Sequence, residues 1–185
     1  MRIVAGRYRG RPLTAVGKGD PKNHLRPTTD RVREALFNAL AGGRYGDPLE
    51  AAHVLDLFAG TGALGFEALS RGAGAVTFVE QGRTGRRLIA ENIRLLDCAD
   101  EARLLPVDAT RLPAATDPAQ LVFLDPPYGQ ALGAAALASA RRGGWIAKDA
   151  LIVWEENAPQ DAPAGFAALD HRRYGDTHVT VLRAE

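Results

Sequence analysis

Two short segments of this 185-residue chain hold residue types whose spacing could do chemistry. The first, Val54-Leu55-Asp56-Leu57-Phe58-Ala59-Gly60-Thr61-Gly62, reads as a strand running into a glycine-rich turn. Gly60, Gly62 and Gly65 satisfy a G-x-G-x-x-G spacing, and Glu80 stands twenty residues after Gly60 at the end of the next strand-like run. Glycines let the backbone turn sharply against a ligand, and a carboxylate can accept from both hydroxyls of a ribose. Any adenosine cofactor with a free ribose needs these features, so alone they also fit a nicotinamide enzyme. Asp56 separates the two readings. At the carboxyl end of the strand it sets negative charge at the mouth of the crevice, which repels a pyrophosphate but suits the ammonium tail of a sulfonium. The turn therefore favours S-adenosyl-L-methionine over NAD. Asp108, just beyond the third strand, is placed to take an adenine amino group, with a simple loop cap as its alternative.

The second segment is Asp125-Pro126-Pro127-Tyr128, which follows the strand Leu121-Val122-Phe123-Leu124. It falls at the carboxyl edge, where open parallel sheets bind ligands. Two prolines fix φ and remove two backbone donors, so nearby carbonyls are left to face the site. An exocyclic amine then finds two acceptors, the Asp125 carboxylate and the Pro126 carbonyl, and its nitrogen lone pair is freed for attack. Methyl transfer needs little more, because holding donor and acceptor in line supplies up to roughly 7–11 kcal/mol. No metal and no catalytic histidine are required. Tyr128 would stack on the base, which has to be unpaired or flipped out.

The elements that position these segments are legible from the pattern. Arg2–Ala5 and Pro12–Val16 are short apolar runs around a basic tip, as in a hairpin. Residues 17–27 read as a loop, and Thr28 or Thr29 can cap a helix whose stripe Val32, Leu36, Leu40 ends at Gly42-Gly43. From His53 the chain alternates: strands at His53–Leu57, Ala75–Glu80, Arg103–Val107 and Leu121–Leu124, and helices at Ala63–Ser70, Gly85–Leu96 and Ala131–Arg142. Such alternation predicts a mostly parallel sheet with helices on both faces. Leu151–Glu155, Phe166–Arg173 and His178–Arg183 follow, the last two too close for a helix, so the seven-stranded α/β sheet should end in an antiparallel hairpin. The division expected is an amino-terminal extension over residues 1–44 and a cofactor-binding domain over 45–185.

Charge gives this division a purpose. The net charge of +1 hides +7 over residues 1–44 and −6 over the remainder. A basic front on a mildly acidic body suits a phosphate-rich partner. There is no apolar stretch of the roughly 18 residues a membrane span needs, so a soluble, cytoplasmic protein without a membrane partner is expected. Cys98 stands alone and excludes an intramolecular disulfide, and the four histidines lack metal-ligand spacing.

The order of these motifs resembles a class I S-adenosylmethionine-dependent methyltransferase with a Rossmann-like fold. Gly6-Arg7-Tyr8-Arg9-Gly10-Arg11, followed by Leu25-Arg26-Pro27-Thr28-Thr29-Asp30-Arg31-Val32-Arg33-Glu34, is similar to the bacterial 16S ribosomal RNA guanine-N2 methyltransferase family. The resemblance implies a monomer acting on 16S rRNA in the small ribosomal subunit or an assembly intermediate. It implies that Asp56, Phe58, Gly60, Gly62, Glu80, Gln81, Asp108 and Ala109 face S-adenosyl-L-methionine and that Asp125, Pro126, Pro127 and Tyr128 present the guanine amine. Arg7, Arg9, Arg11, Arg26 and Arg31 would meet RNA. The clamp by itself reads an amine, which leaves adenine N6 or guanine N2 in DNA or another RNA open. The basic front by itself fits a non-catalytic RNA-binding assembly factor.

Overall fold

The computed structural model describes residues 1–14, 30–127 and 129–185. Helix α1 (Asp30–Ala41) precedes the alternating body of β1 (His53–Leu57), α2 (Ala63–Ser70), β2 (Ala75–Val79), α3 (Arg83–Leu96), β3 (Ala102–Leu105), β4 (Ala119–Leu124), α4 (Leu132–Arg142) and β5 (Ile146–Glu156). The chain closes on β6 (Phe166–Tyr174) and β7 (Thr177–Ala184). The strands form one seven-stranded sheet in the order β3-β2-β1-β4-β5-β7-β6. The first five are parallel, while β7 runs antiparallel between β5 and β6. This is the expected α/β plan.

The central strands are apolar on both faces because helices cover both. Val54, Phe78, Leu121, Phe123 and Val153 pack with Leu36 and Phe37 of α1, Phe66 of α2 and Ile89 of α3. On the opposite face Leu55, Leu57, Val122, Leu124 and Ile152 pack with Ala136 and Leu137 of α4 and with Trp145. Each such large side chain contributes about 1.5–3 kcal/mol by leaving water. Strand β5 begins five residues before the apolar run at Leu151, and its pairing with β4 shifts register between Ala119 and Leu121. Lys148 and Asp149, both exposed, interrupt the apolar pattern there. Cys98 is buried, and burial pushes its thiol up to about 11, which keeps it unreactive.

Among the described residues the amino-terminal hairpin pairs through one antiparallel bridge between Arg2 and Pro12, with Ile3 N–H donating to the Arg11 carbonyl at 3.0 Å. The outward backbone donors that follow Ile3 are taken by the body. Val4 N–H and Ala5 N–H donate to the Glu67 carboxylate at 2.8 and 3.1 Å, and Arg7 N–H donates to the Ser70 carbonyl at 2.8 Å. Glu67, fully buried in α2, also takes Arg71 Nε at 2.7 Å and lies 3.4 Å from Nε of the fully buried Arg33 in α1. Arg33 in turn donates to the Arg2 carbonyl and to Asp30. One buried charge cluster thus clasps the first residues, α1 and α2 together, and removing one partner of such a cluster costs about 3–5 kcal/mol.

Candidate active site

The order of strands reverses between β1 and β4, and a crevice at the carboxyl ends of the strands opens at such a switch point. Leu57 pairs with Leu124 across it. The glycine turn leaves β1 directly after Leu57, and Asp125 follows β4 directly after Leu124, so the two motifs start at one level on neighbouring strands. Asp125 N–H donates to the Leu57 carbonyl at 3.4 Å, which ties the clamp to the root of the turn.

The turn itself is wound by positive φ at Phe58 (59°), Gly60 (56°) and Gly62 (79°). Glycine adopts this freely; Phe58 does so under strain, which persists only where the surroundings hold it. Gly65 sits where α2 crosses β1 and β2. A Cβ there would lie 2.4 Å from Phe78 and 3.0 Å from Asp56 Oδ2, so only glycine allows this approach. Glu80 braces the turn from just beyond β2, accepting Gly60 N–H at 2.8 Å and Gly82 N–H at 2.5 Å. Each Glu80 oxygen thereby holds one backbone donor and keeps lone-pair capacity for another. Burial raises its pKa from the ordinary carboxylate value, against those two N–H bonds.

Asp56 lies deeper than the mouth position read from the sequence. It is 2 % exposed and accepts Gly65 N–H at 3.0 Å. The strand places it on the same face as Phe123, its register partner, beneath the amino end of α2. Burial pushes its carboxyl up to about 7, opposed by the Gly65 bond and aided by the charge of Glu80. Asp125 keeps some exposed surface, but its carboxyl group is densely enclosed. Its pKa stands well above the usual carboxylate range, through burial first and then the charges of Glu155, Asp56 and Glu156. The crevice floor therefore concentrates acidic groups, an environment that a cationic ligand relieves.

The remaining residues divide. Pro126 is buried and Pro127 half-buried beside Asp125. Asp108 Oδ1 accepts from both N–H and Oγ1 of Thr110 at 2.8 Å and so caps the short 3-10 turn Ala109–Arg111, while Ala109 is buried and Gln81 exposed. Arg7 is bound to Glu101 at 2.9 and 2.5 Å and lies 4.6 Å from the centre of the Tyr8 ring. Arg11 donates to the Leu95 carbonyl at the end of α3 at 2.5 Å. Arg9 and Arg31 are exposed. Tyr128 and Arg26 fall outside the described residues. A groove of about 550 Å³ near Ala41, Glu50 and Arg71 lies at the opposite edge of the strands and gathers none of these groups.

Three positions have roles that the sequence reading missed. On α3, Gly85 packs so closely that a Cβ would come within 2.7 Å of both the Gly60 carbonyl and Glu80 Cγ. Asn92 is fully buried, and its signal was a polar residue on the stripe of Leu88, Ile89 and Leu96. Glu67 was visible as the lone acid within the apolar α2 segment.

Comparison with known proteins adds to this geometry. Residues 1–183 match the family described as Conserved hypothetical protein 95. The chain is 39% identical over 189 residues to the Escherichia coli protein named Ribosomal RNA small subunit methyltransferase D, covering 100% of this chain and 90% of that one. The Haemophilus influenzae protein of the same name is 35% identical over 181 residues, covering 95% and 89%. The solved structure of Escherichia coli yhhF superposes with a TM-score of 0.82 at 34% identity, covering 100% of this chain and 98% of that chain. The fold is that of a Rossmann-like class I methyltransferase.

Proposed function

The chain belongs to the family described as Conserved hypothetical protein 95, and we propose that it is an S-adenosyl-L-methionine-dependent ribosomal RNA methyltransferase acting on the N2 amine of a guanine in 16S rRNA. The observation that carries this reading is the pairing of Leu57 with Leu124, which roots the glycine turn and Asp125 side by side. The names of the Escherichia coli and Haemophilus influenzae relatives support ribosomal RNA of the small subunit as the substrate class.

The residues fit the cofactor by their chemistry. Glu80 has lone pairs left for ribose hydroxyls, and Gly60 and Gly62 allow close backbone approach. Asp56 and Asp125 are enclosed acids whose pKa values are raised, so a cation in the crevice favours their ionised forms. Ala109 and Phe58 would flank the adenine, with Asp108 and Gln81 as its polar neighbours. Bound there, S-adenosyl-L-methionine supplies an electrophilic methyl group on a positively charged sulfur.

Asp125 and the Pro126 carbonyl then accept the two hydrogens of the guanine amine and hold its nitrogen toward the crevice, and Tyr128 stacks on the extruded base. The Asp125 carboxylate, ionised beside a bound cation, would take up the proton that the amine nitrogen releases on methylation. Residues 1–44 serve as an RNA-facing extension on the 45–185 domain, with Arg9, Arg26 and Arg31 at phosphates and Arg7 and Arg11 shared between Glu101, Leu95 and RNA. We place the protein in the cytoplasm as a monomer, with small subunits or their assembly intermediates as substrate; no described helix is long and apolar enough to cross a membrane.

The test uses small subunits purified from cells lacking this enzyme, incubated with labelled S-adenosyl-L-methionine and digested to nucleosides. N2-methylguanosine is the expected product. Methyladenosine as the sole product assigns the clamp to a different amine, and absence of any transfer rejects the enzyme altogether.

A further inference from the structure

Helix α3 carries one buried side chain that bridges the two halves of the proposed site. Asn92 has no exposed surface and lies two turns after Gly85 on the same buried stripe. Its Oδ1 accepts Thr14 N–H at 2.7 Å, and its Nδ2 donates to the Thr14 carbonyl at 3.2 Å. The side-chain amide thus offers Thr14 one acceptor and one donor, as a neighbouring strand would. The same Nδ2 also donates at 3.3 Å to the carbonyl of Thr61, the residue between Gly60 and Gly62.

Both ends of this bridge matter to the proposed reaction. Thr14 is the last described residue of the arm that carries Arg7, Arg9 and Arg11. Thr61 belongs to a turn with three positive φ angles in five residues, of which the one at Phe58 persists only where its surroundings hold it. Gly85 touches the Gly60 carbonyl from the same helix, so α3 grips the turn at two points. A second arm-to-turn contact runs from Thr61 Oγ1 to the Met1 sulfur at 3.9 Å. When the arm shifts, the amide of Asn92 cannot keep all three bonds, so the orientation in which it donates to the Thr61 carbonyl is no longer fixed by Thr14.

We propose that Asn92 is a positioning residue that couples the seating of the arm to the conformation of the cofactor turn, so that RNA substrate and S-adenosyl-L-methionine bind with positive linkage. This rests on the function proposed above. Linkage is reciprocal, so either ligand reads it out.

The experiment measures the affinity of S-adenosylhomocysteine by equilibrium dialysis, with and without saturating unmethylated small subunits. It compares wild type, Asn92→Leu and Thr14→Pro, each verified as folded by its melting transition. Thr14→Pro removes the N–H donated to Asn92 without touching α3, so it decides the matter if Asn92→Leu does not fold. Subunits should tighten cofactor-product binding to wild type by about fivefold or more, the lower end of typical coupling. That ratio should fall to about one in each variant, a loss that a general weakening of the fold does not produce. A wild-type ratio of one, or a ratio that survives in either folded variant, overturns the coupling. Failure of wild type to bind either S-adenosylhomocysteine or subunits overturns the underlying function instead.

Discussion

Leu57 and Leu124 face each other across adjacent parallel strands, and the N–H of Asp125 reaches back to the Leu57 carbonyl at 3.4 Å. This single contact sets the distance between a turn fit for a nucleoside cofactor and a clamp fit for an amine. Neither motif can move along its strand without breaking the register of the sheet's centre.

Asp125→Ala removes the acceptor from the clamp and leaves Leu57, Leu124 and the turn in place. Methyl transfer to small subunits should fall by about 100- to 1,000-fold, the usual cost of deleting one preorganised polar group. RNA affinity measured by filter binding should stay close to that of wild type. Full activity in this variant removes Asp125 from the chemistry.

Asp56 gives the protein a pH dependence with a definite sign. In the fold it keeps its proton until about 7, whereas its ordinary value is 3.8. Between these values the folded chain binds the extra proton, so the stability linked to this group is fully present below about pH 4 and is lost as pH rises through about 7. Asp56→Asn stays neutral and can still accept from Gly65, so its unfolding free energy should rise relative to wild type as pH increases from about 4 to about 7, by an amount on the order of a few kcal/mol. Bound S-adenosyl-L-methionine should narrow that gap, since a cation favours the ionised Asp56. A gap independent of pH contradicts the raised pKa.

Gly65→Ala tests the close approach of α2 to the sheet. The added methyl would meet Phe78, Val76 and Asp56 at 2.4, 2.8 and 3.0 Å. Denaturant unfolding should show a loss of about 1–3 kcal/mol, the usual cost of overpacking. Stability equal to wild type would mean that α2 can lift from the sheet at no cost.

Much of this was readable before the structure. The strand and helix boundaries from His53 to Leu124 follow apolar runs punctuated by glycine, because buried parallel strands leave an unbroken pattern. The terminal hairpin β6–β7 was legible from the short Tyr174-Gly175-Asp176 connection. The early start of β5 was not, because the exposed Lys148 and Asp149 break the apolar signal between Ile146 and Leu151, where the pairing with β4 shifts register. For the proposed site, residue types and order marked the glycine turn after β1 and the Asp-Pro-Pro segment after β4, which the sheet sets side by side. The depth of Asp56 was hidden, since its burial depends on Gly65 admitting α2 against the sheet. Asn92 and Glu67 stood out as polar residues in apolar patterns, but their roles were hidden because their partners Thr14, Val4 and Ala5 lie more than sixty residues away in the chain.

The amino-terminal arginines should act through phosphate charge. Replacing Arg7, Arg9 and Arg11 with alanine should weaken RNA binding across sequences and flatten its dependence on salt by about one unit of log–log slope per lost phosphate contact. Arg9 alone should account for a larger share than Arg7, whose guanidinium is already paired with Glu101. Binding titrations at several salt concentrations measure this, and an unchanged slope in the triple variant turns the arm away from RNA.

The most direct measurement is a crystal structure of the protein with S-adenosylhomocysteine. The account predicts the ribose against Glu80, the amino-acid tail over the glycine turn toward Asp56, and the sulfur on the side of the crevice facing Asp125. A ligand held elsewhere on the molecule, or one whose sulfur points away from Asp125, contradicts it.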